Sequence, residues 1–162
     1  MKKKARQTLE YVVKKLDEES QPPQKGSWKE QVEKETKPED EETLRQTYIY
    51  LNVLMTGQQA TDDAIGKILV GENILTPALT NKGWQFWKPL SVTDKEKEAI
   101  ESAVINWSRE KVAKLDSLRE TYEKLPDTDL RSQINFIASV LDINASCKQQ
   151  LSDDLKMILR LN

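Results

Sequence analysis

The chain of 162 residues contains no histidine and a single cysteine, Cys147. The first absence removes the Ser-His and Cys-His nucleophile systems, histidine-ligated metals and the usual proton shuttle. The second forbids an internal disulfide and any cysteine-based metal cage. Glycine (5) and proline (6) are scarce, which argues against a many-turned β sandwich. No stretch approaches the ~18 apolar residues of a membrane span. Behind the basic start "MKKKARQTLEYVV" there is no long apolar run, so neither a signal peptide nor an anchor is expected. The chain reads as cytosolic. Its net charge is only −2, so no global positive field exists and any nucleic-acid binding must come from local patches. There is no G-x-x-x-x-G-K-[ST] and no G-x-G-x-x-G, so nucleotide cradles are unsupported. No cofactor, metal or small-molecule substrate is expected.

What is present is charge on amphipathic patterns. Charged residues make up 32% and hydrophobic ones 37%, a balance that suits a thin helical bundle with large outer faces. Residues 2–19 place Ala5, Leu9, Val12, Val13 and Leu16 on one helix face. Residues 20–37, with a Pro-Pro pair and a glycine, read as a linker or loop whose only anchors are Trp28 and Val32. Thr36, Pro38 and Glu39 form a capping box. The helix behind it is apolar nearly all round, through Leu44, Tyr48, Ile49, Tyr50, Leu51, Val53, Leu54 and Met55, so it is expected to be central and to stop before Gly57. A short helix is expected from Thr61 to Val70. The segment 71–92 is interrupted by Pro77, Asn81-Lys82-Gly83 and Pro89 and fits a small hairpin or a packed loop. Thr93 and Glu96 open a long helix with an apolar stripe from Ile100 to Leu125. Two shorter helices follow, about Thr128–Leu141 and Ser146–Leu161, with Asp127 or Thr128 and then Ser146 as N-caps. The expected fold is all-α: one domain over 1–162, five or six helices around one core with one long central helix, and two irregular insertions.

Acidic pairs occur at Asp62-Asp63 and Asp153-Asp154. Adjacent helical carboxylates point about 100° apart, so neither pair makes a ligand cluster, and helix-end electrostatics is the expected role. Cys147 falls near a predicted helix start, where a thiol's pKa can be lowered. No residue stands out as catalytic, and the chain is expected to work by binding.

Three sets of residues suggest where. Lys2, Lys3, Lys4, Arg6, Lys14 and Lys15 form the densest basic region, either a ridge that tracks a phosphate backbone or a solvated face. Arg109, Lys111 and Lys114 form a second set, interleaved with Glu110 and Asp116. Trp84, Phe86 and Trp87 concentrate aromatics in "WQFW". They fit a cap on the core, anchors for another subunit, or a stacking surface for unpaired bases with Lys82 and Lys88 close by for phosphate. In a strand, Trp84 and Phe86 would share one face and Trp87 the other, so that one face fills the core while Trp87 looks outward.

Two segments carry a likeness to a known family. "ARQTLEYVVKKL" resembles the first helix of the small subunits of type III CRISPR effector complexes, and "EAIESAVINWSREKV" is similar to a later helix there that carries an Asn-Trp pair. The chain departs from that pattern in its 71–92 insertion and in the helices after Asn106-Trp107; the small subunits of type I complexes vary more. The resemblance implies a non-catalytic subunit whose copies stack along a larger complex and whose basic faces meet guide–target duplex or displaced strand, RNA or single-stranded DNA. It would make the Lys2–Lys15 ridge the first candidate for strand contact and Trp84, Phe86 and Trp87 candidates for a subunit seam. A stand-alone adaptor or inhibitor using the aromatic segment against a protein is the alternative.

Overall fold

A computed structural model describes residues 3–20, 27–35, 41–71, 75–79, 83, 85–89, 95–124 and 129–160. They form an all-α bundle with one short hairpin. The order is α1 (Lys3–Ser20), α2 (Trp28–Glu35), α3 (Glu41–Gly71), β1 (Leu75–Leu79), β2 (Gln85–Pro89), α4 (Lys95–Glu123) and α5 (Leu130–Arg160). The capping boxes at Thr36–Glu39 and Thr93, and the proposed caps Asp127 and Thr128, lie outside the described residues. The observed N-cap of α5 is Asp129, whose Oδ1 accepts the Ser132 backbone N–H at 2.7 Å.

The hub is α5 rather than α3: α1, α2, α3 and α4 all pack against it. The apolar face read from α1 is buried, with Leu9, Val12, Val13 and Leu16 all inside. Within the stretch expected to be a linker, residues 28–35 instead fold as α2. Its two sequence anchors, Trp28 and Val32, are both buried. The α2 N-terminus sits on a side chain of α5: Asp142 Oδ1 accepts the Trp28 N–H at 2.7 Å and Oδ2 the Lys29 N–H at 3.0 Å. These donors have no partner within their own helix, and the carboxylate also meets the positive end of the helix dipole.

Two helices expected to be broken are continuous. α3 runs 31 residues through Gly57, and α5 runs 31 residues through Ser146. The apparent breaks share one physical cause. The described residues bury two apolar clusters. One joins α1, the second half of α3, β2, α4 and the second half of α5 around Leu16, Leu69, Val104 and Leu151. The other joins α2 to the first halves of α3 and α5 around Trp28, Leu51, Ile134 and Leu141. Between them lies a polar layer containing Gln58 and Asp62 of α3 and Asn144 and Lys148 of α5, all buried. The apolar pattern lapses at this layer while the backbone helix continues.

The hairpin pairs β1 and β2 antiparallel, with Leu75 opposite Pro89 and Pro77 opposite Trp87. Gly83 in the connection has φ of +87°, a left-handed conformation that favours glycine. β2 lies against α4.

Candidate functional site

Among the described residues, the polar layer brings buried ionisable side chains of three helices together. Asp62 is 5% exposed and Lys148 0%. Asp62 Oδ2 is 3.2 Å from Lys111 Nζ and its Oδ1 is 3.1 Å from Lys148 Nζ. The second contact is close enough for an ion pair but off-line for a hydrogen bond, so it acts as charge against charge. Glu19 Oε2 stands 4.0 Å from Lys148 Nζ, and Glu19 Oε1 accepts the Thr61 hydroxyl. Lys111 Nζ also lies 4.9 Å from the centroid of the Trp107 ring. Asn144 donates to Gln58 at 3.1 Å. A buried carboxylate is tolerated here because two ammonium groups flank it, and each lysine depends on it in turn.

This arrangement corrects two expectations. Lys111, a candidate for strand contact, faces inward, because its position on α4 opposes Asp62. Asp62 itself is not first-turn electrostatics; it stands in the middle of α3 as counter-ion to two lysines. Cys147 adjoins the layer and is likewise mid-helix. Burial pushes its thiol up, against smaller opposing effects from the Lys114 and Lys111 charges, the direction opposite to the lowering expected at a helix start. Among the described residues no group of three His, Cys, Asp or Glu is placed to hold a metal ion, and no helix is long and apolar enough to cross a membrane.

Of the basic ridge, the side chains of Arg6, Lys14 and Lys15 are described. Arg6 Nη2 donates to the Leu159 carbonyl at 2.7 Å, and its Nε pairs with Glu10. Lys15 pairs with Glu18 at 3.7 Å and stands over the Tyr11 ring. Lys14 is exposed. Lys2 and the side chains of Lys3 and Lys4 lie outside the described residues, as does Lys82. Lys88, Arg109 and Lys114 are exposed on β2 and α4.

The aromatic segment is also corrected. Trp87, expected to look outward, is 4% exposed. Its ring enters a slot on α3 left open by Gly66, and its backbone N–H donates to Ser108 Oγ of α4 at 2.8 Å. Phe86, on the opposite strand face, is half-buried, and Trp84 lies outside the described residues. Of the readings open for Trp87, its burial fits the cap on the core and not the outward anchor.

Among the described residues, three neighbouring exposed apolar side chains lie on α3. Ile49, Tyr50 and Val53 are 50%, 55% and 65% exposed. A groove of 350 Å³ flanks this surface, with Trp28, Leu54 and Val53 in its walls and Glu18 and Glu19 at its edge. A second groove of 280 Å³ continues along α3 past Ala60 and Ala64, against Tyr11 of α1. On another side, an apolar cleft of 380 Å³ opens between α3, α4 and α5, walled by Tyr48, Met55, Tyr122 and Phe136, with Arg119 and Gln133 among its polar groups. The sequence held a signal for the α3 face. No charged residue occurs between Arg45 and Asp62, in a chain that is 32% charged. That run was read as a buried helix, since helices apolar all round are ordinarily inside.

No family model, curated protein or solved structure matches the chain.

Proposed function

We propose that this protein is a non-catalytic binding subunit that works by protein–protein adhesion through the outer face of α3. The observation that carries this reading is the exposure of Ile49, Tyr50 and Val53 on a helix with no charge between Arg45 and Asp62. Scattered apolar residues on a surface need no explanation, but a contiguous apolar face on an otherwise charged helical protein marks an interaction site. Tyrosine there adds an apolar body with a polar tip, the side-chain type favoured at interfaces. The interior polar layer supports a scaffold role, because Lys148 has no exposed surface through which a substrate could reach it.

The resemblance to small subunits of CRISPR effector complexes names one kind of assembly in which such a protein would sit. The exposed Lys14, Lys88, Arg109 and Lys114 favour strand contact as a second reading. Within it, binding to single-stranded RNA or DNA falls steeply between low and physiological salt. Replacing those four residues by glutamate then abolishes binding, whereas affinity that ignores salt removes strand contact from the reading.

Gel filtration of host lysate tests adhesion. The chain, 18.7 kDa alone, should elute well above its own mass, and Val53→Glu should return it to the monomer position with unchanged melting. Elution of the wild-type chain at its own mass would overturn adhesion.

A further inference from the structure

We infer that the partner on the outer face of α3 is a second copy of this chain, with the two α3 helices antiparallel about a two-fold axis at the level of Leu54 and Met55. The inference rests on the adhesion reading and identifies its partner.

The face has the spacing of a helix–helix seam. Ile49, Val53, Thr56 and Ala60 follow one another at intervals of four, three and four, and all are exposed. Continuing the same line toward the N-terminus gives Arg45 and then Glu42; toward the C-terminus it gives Asp63 and then Lys67. These four are also exposed. The centre of the seam is therefore uncharged and each end carries one acid and one base.

The order of those charges selects the partner and its direction. With the axis between Leu54 and Met55, Glu42 lies opposite the other copy's Lys67, and Arg45 falls within one residue of the other copy's Asp63. The two-fold operation repeats both pairings, giving four opposite-charge contacts around an apolar centre. A parallel pairing in register would set Glu42 against Glu42 and Lys67 against Lys67, which like-charge repulsion disfavours. The same antiparallel register places Ile49 opposite Ala60, large against small, so that the helix axes can approach closely. Glu42 now meets Arg45 at 3.3 Å and Gln46 at 3.1 Å within its own helix. Those contacts are solvent-exposed and weak, so exchanging them across an interface costs little. The seam from Glu42 to Lys67 extends roughly 38 Å. Tyr50 flanks it on α3 and Tyr11 on α1, both more than half exposed, and they widen the area beyond one helix face toward the about 800 Å² per partner that stable interfaces use.

Sedimentation equilibrium on the purified chain tests this. The expected mass at about 100 µM, far above a micromolar dissociation constant, is twice the 18.7 kDa of one chain. Lys67→Glu alone should weaken the dimer at least tenfold, and Glu42→Lys together with Lys67→Glu should restore it. Because both positions are solvent-exposed, the fold is not at stake in either variant. A dimer indifferent to Lys67→Glu, or one not restored by the double exchange, overturns the antiparallel α3 seam. A purified monomer whose lysate complex remains larger than one chain overturns the second copy as partner but leaves adhesion standing; a monomer in both settings overturns both.

Discussion

The indole ring of Trp87 occupies the space that a side chain on Gly66 would need. One residue belongs to β2 and the other to α3, so this contact locks the hairpin onto the bundle. Gly66→Ala sets two effects against each other. Alanine raises helix propensity by about 1 kcal/mol, while overpacking a rigid site costs about 1–3 kcal/mol. The obstructing atoms belong to a buried ring that cannot swing aside, so overpacking wins and the variant is expected to be less stable by up to about 2 kcal/mol. Urea unfolding with tryptophan emission checks it; a variant more stable than the parent would show that the ring is not seated on Gly66.

The polar layer predicts an asymmetry between its members. Asp62→Asn leaves Lys111 and Lys148 buried, with Glu19, 4.0 Å from Lys148 Nζ, as the remaining acid near them. Two buried cations left with only that distant acid should cost about 3–5 kcal/mol. Lys148→Met leaves Asp62 paired with Lys111 at 3.2 Å, fills the same volume with an apolar chain, and should cost distinctly less. Replacing Asp62, Lys111 and Lys148 together by apolar residues of similar size should recover most of the loss, since buried ion groups often add nothing over apolar packing. Denaturant midpoints of the three variants decide the matter, and equal losses for Asp62→Asn and Lys148→Met would contradict the shared-counter-ion arrangement.

The same layer explains how far the sequence could be read. Helical spacing identified the buried face of α1 and much of the α4 stripe, because Leu9, Leu16, Ile100, Val104 and Trp107 need only a water-excluding side to face. It failed at Gln58–Asp62 and Asn144–Lys148, where the polar residue's partner is another polar residue on a helix distant in sequence. Local pattern cannot separate a lysine facing a buried carboxylate from one facing water, so two continuous helices were read as four. Lys111 was assigned to the surface for the same reason. The α3 face misleads in the opposite direction: an uncharged run predicts an interior helix, yet the bundle leaves Ile49, Tyr50 and Val53 outside. Trp87 needed the Gly66 slot, which only the packing of β2 against α3 and α4 reveals.

The docking of α2 depends on one carboxylate. At 8 residues this helix is far shorter than the ~12–15 residues an isolated helix needs to persist in water. It is held by Trp28, Val32 and the two bonds to Asp142. Asp142→Ala removes both acceptors and the charge at the helix N-terminus and should cost about 1–2 kcal/mol. Hydrogen exchange should show residues 28–35 losing protection while α4 keeps its own. Uniform loss across the chain would mean that Asp142 stabilises α5 itself rather than α2.

Acid should weaken the fold through two carboxylates in particular. Asp17 of α1 meets Lys156 of α5 at 2.8 Å and accepts the Ser152 hydroxyl. Burial raises its pKa, but the hydrogen bonds from Lys156 and Ser152 and the Lys156 charge together outweigh this and hold it below the ordinary 3.8. Asp129 is held below 3.8 mainly by the backbone and side-chain hydrogen bonds of Ser132 at the start of α5. Both groups bind a proton more readily in the unfolded chain than in the folded one, so each stabilises the fold fully above 3.8, and that contribution disappears as pH falls through the lower folded value. Asp17→Asn should therefore lower stability at neutral pH while flattening the decline below about pH 4; Asp129→Asn should flatten it too, with a smaller loss at neutral pH because asparagine also serves as an N-cap. Urea midpoints measured across the acid range test this. A decline in Asp17→Asn parallel to the parent's would show that the link between α1 and α5 does not run through that carboxylate's charge.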